Sequence, residues 1–198
     1  MKKIMMTLVM AVAAIAASAQ NNTLREPGTI SIQPKAGIGI GYLSGKWTGS
    51  ADRKAKVGFV AGVEGEYYVN NWLGVAAGVN FAQQGWKIEG AQDSWKTKLN
   101  YLNIPIVADF YVLPGLALKT GMQFGFLASA KQDGNDWKDS CKKFNFSIPV
   151  GLSYEYKNVV LDLRYNISTT KVNKESDDDN KWRSDLLQIT LGYKFDLK

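Results

Sequence analysis

The chain has 198 residues, a formal net charge of +6, no histidine and one cysteine, Cys141. This length favours a single domain, and one cysteine excludes an intrachain disulfide framework. Because histidine is the usual general base near neutral pH, its absence argues against a hydrolase. A lone thiol with no histidine is also a poor metal site. We therefore expect no catalytic residue, metal or cofactor.

The N-terminus is typical of an exported protein. A basic start, Lys2 and Lys3, precedes an apolar run over residues 4–16 that is short for a bilayer span, and Ala17-Ser18-Ala19 provides a small-residue cleavage site. We predict a signal peptide at 1–19, cleaved near Ala19, then a flexible lead-in at 20–29. Loss of two lysines leaves a mild positive charge, which together with export argues against a nucleic-acid partner.

Residues 30–198 alternate apolar and polar side chains with a period of two, which predicts β-strands. The clearest example is FSIPVGLSYEYKNVVLDLRYNIS at 146–168. No segment has a convincing helical period. Eight strands are predicted, at 30–43, 56–69, 73–86, 98–112, 116–130, 143–156, 159–170 and 184–197.

Short and long connections alternate strictly along these strands. The short ones are Asn70-Asn71, Leu113-Pro114-Gly115 and Lys157-Asn158, whose residues suit tight hairpin turns. The long polar ones cover 44–55, 87–97, 131–142 and 171–183. In an up-and-down barrel this pattern places all the short turns at one end, as in outer-membrane barrels.

The two faces of the strands identify the surrounding solvent. One face is broad, apolar and free of charge, as a lipid-facing surface must be; it includes Phe59, Val150 and Ile189. The other face carries many small residues and scattered charges, which suits the narrow interior of eight strands. We predict an all-β fold, an eight-stranded antiparallel up-and-down transmembrane β-barrel over 30–198.

The predicted lumen contains a polar network of both charge signs, so pairing is expected. Its members are Glu64, Glu66, Asp109, Lys119, Glu155, Asp162, Arg164 and Lys194, with Lys35 and Asp196 as further inward charges. Eight strands leave room only for side chains, which favours a plugged lumen. A polar path for small solutes is the alternative.

Two sets of residues add detail to this prediction. Pro34, Pro105 and Pro149 lie within strands, where we expect local bulges or bends. Aromatic side chains gather near the short turns and resemble an interfacial girdle: Tyr67, Trp72, Phe110, Tyr154, Tyr156, Tyr193 and Phe195.

LNYLNIPIVADFY (99–111) and the final LLQITLGYKFDL (186–197) resemble the small outer-membrane β-barrel family labelled PorT-like, with the eight-stranded architecture of the OmpX/OmpA type. Members commonly end in an aromatic residue that assists assembly; here Phe195 is followed by three more residues. The resemblance implies the outer membrane of a Gram-negative-type bacterium, with outer-membrane lipid and the barrel-assembly machinery as partners. It does not imply one activity.

Each long loop contains one tryptophan: Trp47, Trp95, Trp137 and Trp182. Tryptophan is frequent in binding hot spots, so these residues predict a recognition surface for an extracellular or envelope protein. Anchoring at the membrane interface is the alternative. We expect a non-enzymatic barrel with a structural or surface-recognition role; a small-solute channel or a component of a protein-secretion apparatus is the alternative function.

Overall fold

The computed structural model describes residues 26–44, 52–89, 94–132, 135–136, 142–170 and 183–197. Within these ranges the backbone forms strands and no helix. The strands are β1 (Ile30–Ser44), β2 (Asp52–Asn70), β3 (Leu73–Glu89), β4 (Ser94–Leu113), β5 (Leu116–Gln132), β6 (Asn135–Asp136), β7 (Phe144–Tyr156), β8 (Val159–Ser168), β9 (Arg183–Tyr193) and β10 (Phe195–Leu197). Accordingly, the described residues include no helix with the length and hydrophobicity to cross a membrane.

The strands close into a single barrel. Neighbours in the chain pair antiparallel, and β9 returns to pair with β1. β6 is a two-residue extension paired with β5, and β9 and β10 are two parts of one strand, because both pair with β1. The predicted closed, eight-stranded, up-and-down barrel is confirmed.

One row of paired residues runs round the whole barrel and shows how its strands are staggered. It leaves β1 at Ile30 and returns to β1 at Ile40, ten residues further along, after passing through Tyr67, Val75, Ala108, Thr120, Val150, Tyr165 and Leu187. Closing a sheet of tilted strands requires a fixed stagger of this kind. Closure also leaves no long unpaired strand edge, which hydrocarbon would not tolerate.

The burial of side chains confirms which face is outside. Phe59 is 52% exposed and Val150 47%, whereas Glu64 is 3% exposed and Arg164 is fully buried. The inward side of the long strands carries mainly polar or small residues with some apolar ones, and all the charges of the strand middles, whereas the outward side carries a continuous apolar band. Because this arrangement is the reverse of a water-soluble core, it identifies lipid as the outer solvent.

The short turns have the predicted positions and the expected turn chemistry. Asn70 Oδ1 accepts hydrogen bonds from the backbone amides of Trp72 at 3.0 Å and Leu73 at 2.8 Å. Gly115 and Lys157 have positive φ angles of 79° and 49°. All three turns lie at the barrel end where β1 begins, since Ile30 pairs with Tyr67 and Leu197.

At the opposite end of the barrel, strands β2 to β5 extend beyond their predicted ends. β2 begins at Asp52 and β3 ends at Glu89, while β4 begins at Ser94 and β5 ends at Gln132. Seventeen to twenty residues per strand exceed the roughly 9–11 that span a bilayer. These four strands therefore project beyond the membrane, and the connection between β3 and β4 is shorter than predicted.

Bulges or bends are predicted at the three prolines, and the bulges are absent there. The register shifts lie elsewhere, between Ala55 and Val60, Tyr68 and Asn70, Asn100 and Tyr101, and Tyr111 and Leu113. Each proline instead lies where pairing with one neighbouring strand is interrupted and then resumes in the same register. Proline lacks an amide N–H and cannot donate to the ladder, which explains the gap. At Pro34 the gap separates β9 from β10.

Two further placements also differ from the sequence analysis. Asp196 was expected in the lumen but is exposed, because it lies in the terminal segment β10. Tyr154 belongs to the outward-facing set yet is buried, unlike its exposed neighbour Tyr156. The other girdle aromatics lie outward near the short turns, where Trp72 stacks on Phe110 with ring centroids 6.3 Å apart.

Candidate functional site in the barrel lumen

Strand alternation brings the inward charges together. Successive inward residues on one strand are two positions apart, so Glu64 and Glu66 share a face of β2, and Asp162 and Arg164 share a face of β8. The lumen side chains of eight strands converge on a narrow interior. All eight residues of the predicted polar network are buried there.

Six charged groups form one continuous chain of contacts across the lumen. Arg164 bonds both oxygens of Glu64, at 2.9 and 3.2 Å, and donates to Asp162 Oδ2 at 2.8 Å. Lys35 Nζ extends the chain beyond Glu64 at 2.6 Å. On the other side Lys119 joins Asp162 at 3.4 Å to Asp109 at 2.6 Å.

This central chain draws on β1, β2, β4, β5 and β8, so it ties walls of the barrel that are not neighbours in the sheet. It contains three cations and three carboxylates and is therefore neutral. Buried charges are tolerated only when they are paired and hydrogen-bonded. Each of these six groups has at least one partner of opposite charge, while Asp109 Oδ1 and Arg164 Nε have no hydrogen-bond partner among the described residues.

A second cluster lies nearer the short turns and centres on Lys194. Its ammonium group lies 2.6 Å from Glu66 Oε2 and 3.2 Å from Glu155 Oε2. It also donates to the hydroxyls of Tyr68 at 2.7 Å and Tyr111 at 3.1 Å. Tyr111 in turn donates to Glu66 Oε1 at 2.6 Å. One lysine therefore holds two carboxylates and two phenols in place.

Glycines on the inward face make room for these carboxylates. A Cβ atom added to Gly78 would lie 2.6 Å from Cγ of Glu64, and one added to Gly74 would collide with the Glu66 carboxylate. Gly78 is opposite Glu64 in the pairing of β2 with β3, and Gly74 faces Asp109 in the pairing of β3 with β4. The small residues of this face thus leave volume for the charged ones.

Three members of the clusters are not part of the predicted polar network: Tyr68, Tyr111 and Asn80. Asn80 Nδ2 donates to Glu64 Oε1 at 3.1 Å. A signal for them exists, because Tyr68 has the parity of Glu64 and Glu66, Tyr111 that of Asp109, and Asn80 that of its inward neighbours Gly78 and Ala82. The two tyrosines were missed because apolar rings were assigned to the outer girdle.

Towards the long-loop end the inward residues become amides and then apolar. Buried carboxamides include Asn103, Gln123, Asn166 and Gln188. Beyond them lie buried apolar side chains: Val60, Ala82, Leu99, Tyr101, Leu127 and Leu186. Val60, Ala82 and Leu186 are in contact as one small cluster. The lumen is thus charged in its middle, and above it apolar side chains are mixed with buried polar ones such as Ser184, which donates to Gln84 Oε1 at 3.2 Å.

Nothing in the described ranges groups three or more histidine, cysteine, aspartate or glutamate side chains as a metal site would. Of the loop tryptophans, Trp47, Trp137 and Trp182 lie outside the described residues. Trp95 belongs to β4, where its backbone pairs with Ile88, and not to a loop as predicted. The recognition surface therefore stays a prediction.

Comparison with known proteins agrees with the barrel geometry. The family model described as "Outer membrane protein beta-barrel domain" matches residues 18–174, which is more than half of the chain. No curated protein is close enough in sequence to count as a relative.

Several solved structures resemble the chain. Neisserial surface protein A is 22% identical with a TM-score of 0.52, over 84% of this chain and 97% of that one. Ail of Yersinia pestis, in complex with the heparin analogue sucrose octasulfate, is 22% identical with a TM-score of 0.52, over 85% and 99%. OprG from Pseudomonas aeruginosa is 11% identical with a TM-score of 0.50, over 88% and 99%. At these identities the likeness concerns the fold alone.

Proposed function

The chain belongs to the family of outer-membrane β-barrel domains, and from this premise we propose that it is a non-enzymatic barrel with a plugged lumen and a surface-recognition role. The protein is located in the outer membrane of a Gram-negative bacterium, so lipid surrounds the barrel. The narrower PorT-like resemblance, the signal-peptide cleavage site and a role for the barrel-assembly machinery stay predictions.

The observation that supports a plugged lumen is the series of ion pairs that crosses the lumen from Lys35 to Asp109. A solute moving along the axis would have to part contacts of 2.6–3.4 Å between groups that are almost fully buried. Separating a buried ion pair by loss of one partner costs about 3–5 kcal/mol. Between these ion pairs and the long-loop end, apolar side chains such as Val60 and Leu186 add a second obstacle to ions.

Conductance across a planar bilayer tests this part of the proposal. The full-length mature protein is inserted, and its folded state is checked by the difference in gel migration before and after boiling. We expect no stepwise current from the folded protein, as from the boiled sample. Steps that appear only with the folded protein and grow with salt concentration would favour the small-solute channel.

The pairing of the charged side chains in the lumen supports a role without catalysis. Each described charged group of the lumen clusters is in contact with a partner of opposite charge. A general base needs a proton acceptor that is free to reach a substrate, and this arrangement offers none among those groups. Hydrolysis of lipid or peptide substrates by the purified protein would contradict the proposal.

The recognition role is assigned to the long-loop end and its tryptophans. Fluorescence quenching by lipids brominated along their acyl chains separates recognition from anchoring, because only residues in the membrane are quenched. We expect Trp47, Trp95, Trp137 and Trp182 to stay unquenched when studied one at a time. Trp72 is the control, since its ring lies exposed among the girdle aromatics. Quenching of the four equal to that of Trp72 would assign them to anchoring.

A further inference from the structure

A groove lies on the outer surface of the barrel where β1 meets β9. Its outward side chains are three small and three large residues without charge: Pro34, Ala36, Ala61, Val159, Leu191 and Tyr193. Ala36 and Ala61 are paired with each other, next to Leu191 on β9, so two methyl groups stand where the surrounding band carries large side chains. The groove has a volume of about 490 Å³, which lies within the roughly 300–1,000 Å³ of small-molecule sites.

One backbone carbonyl at this groove lacks its partner in the sheet. The amide of Lys194 donates to the carbonyl of Asn158 at 2.7 Å, so the amide and carbonyl of the preceding residue, Tyr193, point the other way, towards β1. The residue of β1 in that register is Pro34, which has no N–H to donate. The Tyr193 carbonyl therefore receives no hydrogen bond from β1.

The surroundings of the groove favour an acyl chain as its occupant. Lys35 is the one charged lining residue, and its ammonium group lies in the lumen, 2.6 Å from Glu64 Oε1. Leu191 and Tyr193 are 58% and 46% exposed in the lipid-facing band. A transmembrane helix is about 10–12 Å wide and about 30 Å long and would need several times this volume. The space suits one hydrocarbon chain that extends from Tyr193 past Leu191 towards the membrane centre.

Two features at the short-turn end of the groove describe the head of the bound molecule. A carbonyl without a donor is unfavourable next to hydrocarbon, so the Tyr193 carbonyl favours a hydroxyl at the head of the chain. Lys157 is exposed in the turn that precedes Val159 and forms no ion pair with the described side chains. A free ammonium group at this place suits a phosphate.

We propose that the groove binds a lysophospholipid. Its single acyl chain matches the apolar lining, its free glycerol hydroxyl donates to the Tyr193 carbonyl, and its phosphate meets Lys157. A lipid of this kind reaches the groove without leaving the membrane, because the groove opens on the lipid-facing band. The inference rests on the membrane placement and is independent of whether the lumen is closed.

Photolabelling of the full-length mature protein in phosphatidylcholine vesicles tests the proposal. The probe is 1-acyl-lysophosphatidylcholine with a diazirine in its chain, and labelled peptides are identified by mass spectrometry. We expect saturable labelling of β1 and β9 around Ala36 and Leu191. Ala61→Leu fills the groove and should weaken binding about tenfold. The matched control is Ala108→Leu, at an equally half-buried outward alanine on β4, and its affinity should stay within about twofold.

Two further variants test the contacts with the head. Pro34→Ala supplies the missing N–H to the Tyr193 carbonyl and should weaken binding of the probe about fivefold. Binding of the O-methyl ether of the probe, which lacks the hydroxyl donor, should not change. Lys157→Gln should weaken binding of the probe about threefold and should not affect a monoacylglycerol of the same chain, which lacks the phosphate.

Labelling spread evenly round the barrel, or equal affinity in all variants, would overturn the proposal. So would equal affinity of the unmodified chain for the probe, its O-methyl ether and the monoacylglycerol. Labelling at the groove that rises only as the protein is diluted in lipid would assign the groove to a second copy of the chain and would also overturn it. Current through the bilayer leaves these results unaffected, so this proposal and the plugged lumen fail separately.

Discussion

At the scale of single residues, Arg164 has the largest role in the lumen. It is fully buried and donates to carboxylates on two strands, Glu64 on β2 and Asp162 on its own β8. The planar guanidinium suits this role because two parallel donors match the two oxygens of one carboxylate. Lysine, a point charge, would not reproduce the paired contact with Glu64.

Replacement of Arg164 is therefore expected to be strongly destabilising. Arg164→Ala leaves Lys35 as the one described cation paired with Glu64 and removes the side chain that links Glu64 to Asp162. We expect the free energy of unfolding in lipid vesicles to fall by about 3–5 kcal/mol, the cost of an uncompensated buried charge. Lys157→Ala, at an exposed turn, should change it by less than about 0.5 kcal/mol. Equal unfolding midpoints for the two variants would contradict the importance of the network.

At the same scale, the direction of each lumen side chain was predictable from the sequence, but its partner was not. Parity along each strand was enough to predict that Glu64, Asp162 and Arg164 point inward, because a period of two is a strong signal. It did not reveal which charge meets which, since partners such as Glu64 and Arg164 are one hundred positions apart. That information depends on the stagger of the strands, which is a property of the closed barrel.

At the scale of elements, the short-turn end was predictable and the long-loop end was not. Turn residues such as Pro114-Gly115 have specific backbone preferences and mark the strand ends clearly. The outer parts of β2 to β5 lie beyond the membrane and carry polar residues on both faces, as in Lys96-Thr97-Lys98. Without an apolar face the alternation disappears, and the sequence of such a segment predicts a loop.

The proline gaps lead to a prediction about backbone pairing. Pro105 pairs with Gln123 on β5, whereas pairing of β4 with β3 skips Gly78 and Val79. Pro105→Ala supplies an amide N–H where the ladder lacks one, without a change of register. We expect a new amide signal in NMR spectra that is protected from hydrogen exchange like its strand neighbours. A new amide that exchanges as fast as those of the turns would show that the gap has another cause.

At the scale of the whole molecule, the two faces of the barrel explain its composition. Apolar residues make up 45% of the chain, yet its mean hydropathy is nearly neutral at −0.19, because they alternate along the strands with polar or small residues. The apolar ones cover the outside and the charged ones are paired inside. The same sequence placed with its apolar face inward would leave large side chains such as Phe59 and Phe126 without space in an eight-stranded interior.

This inside-out arrangement is the central claim, and spin labels along β5 test it most directly. Cysteines are introduced singly over residues 117–126 in a Cys141→Ser background, and the accessibility of each label to oxygen, which dissolves in lipid, is measured in membranes. Met122 is 44% exposed and Gln123 1%, so we expect accessibility to alternate with maxima at Leu118, Met122 and Phe126 and a minimum at Gln123. Higher oxygen accessibility at Gln123 than at Met122, or no alternation, would contradict the account.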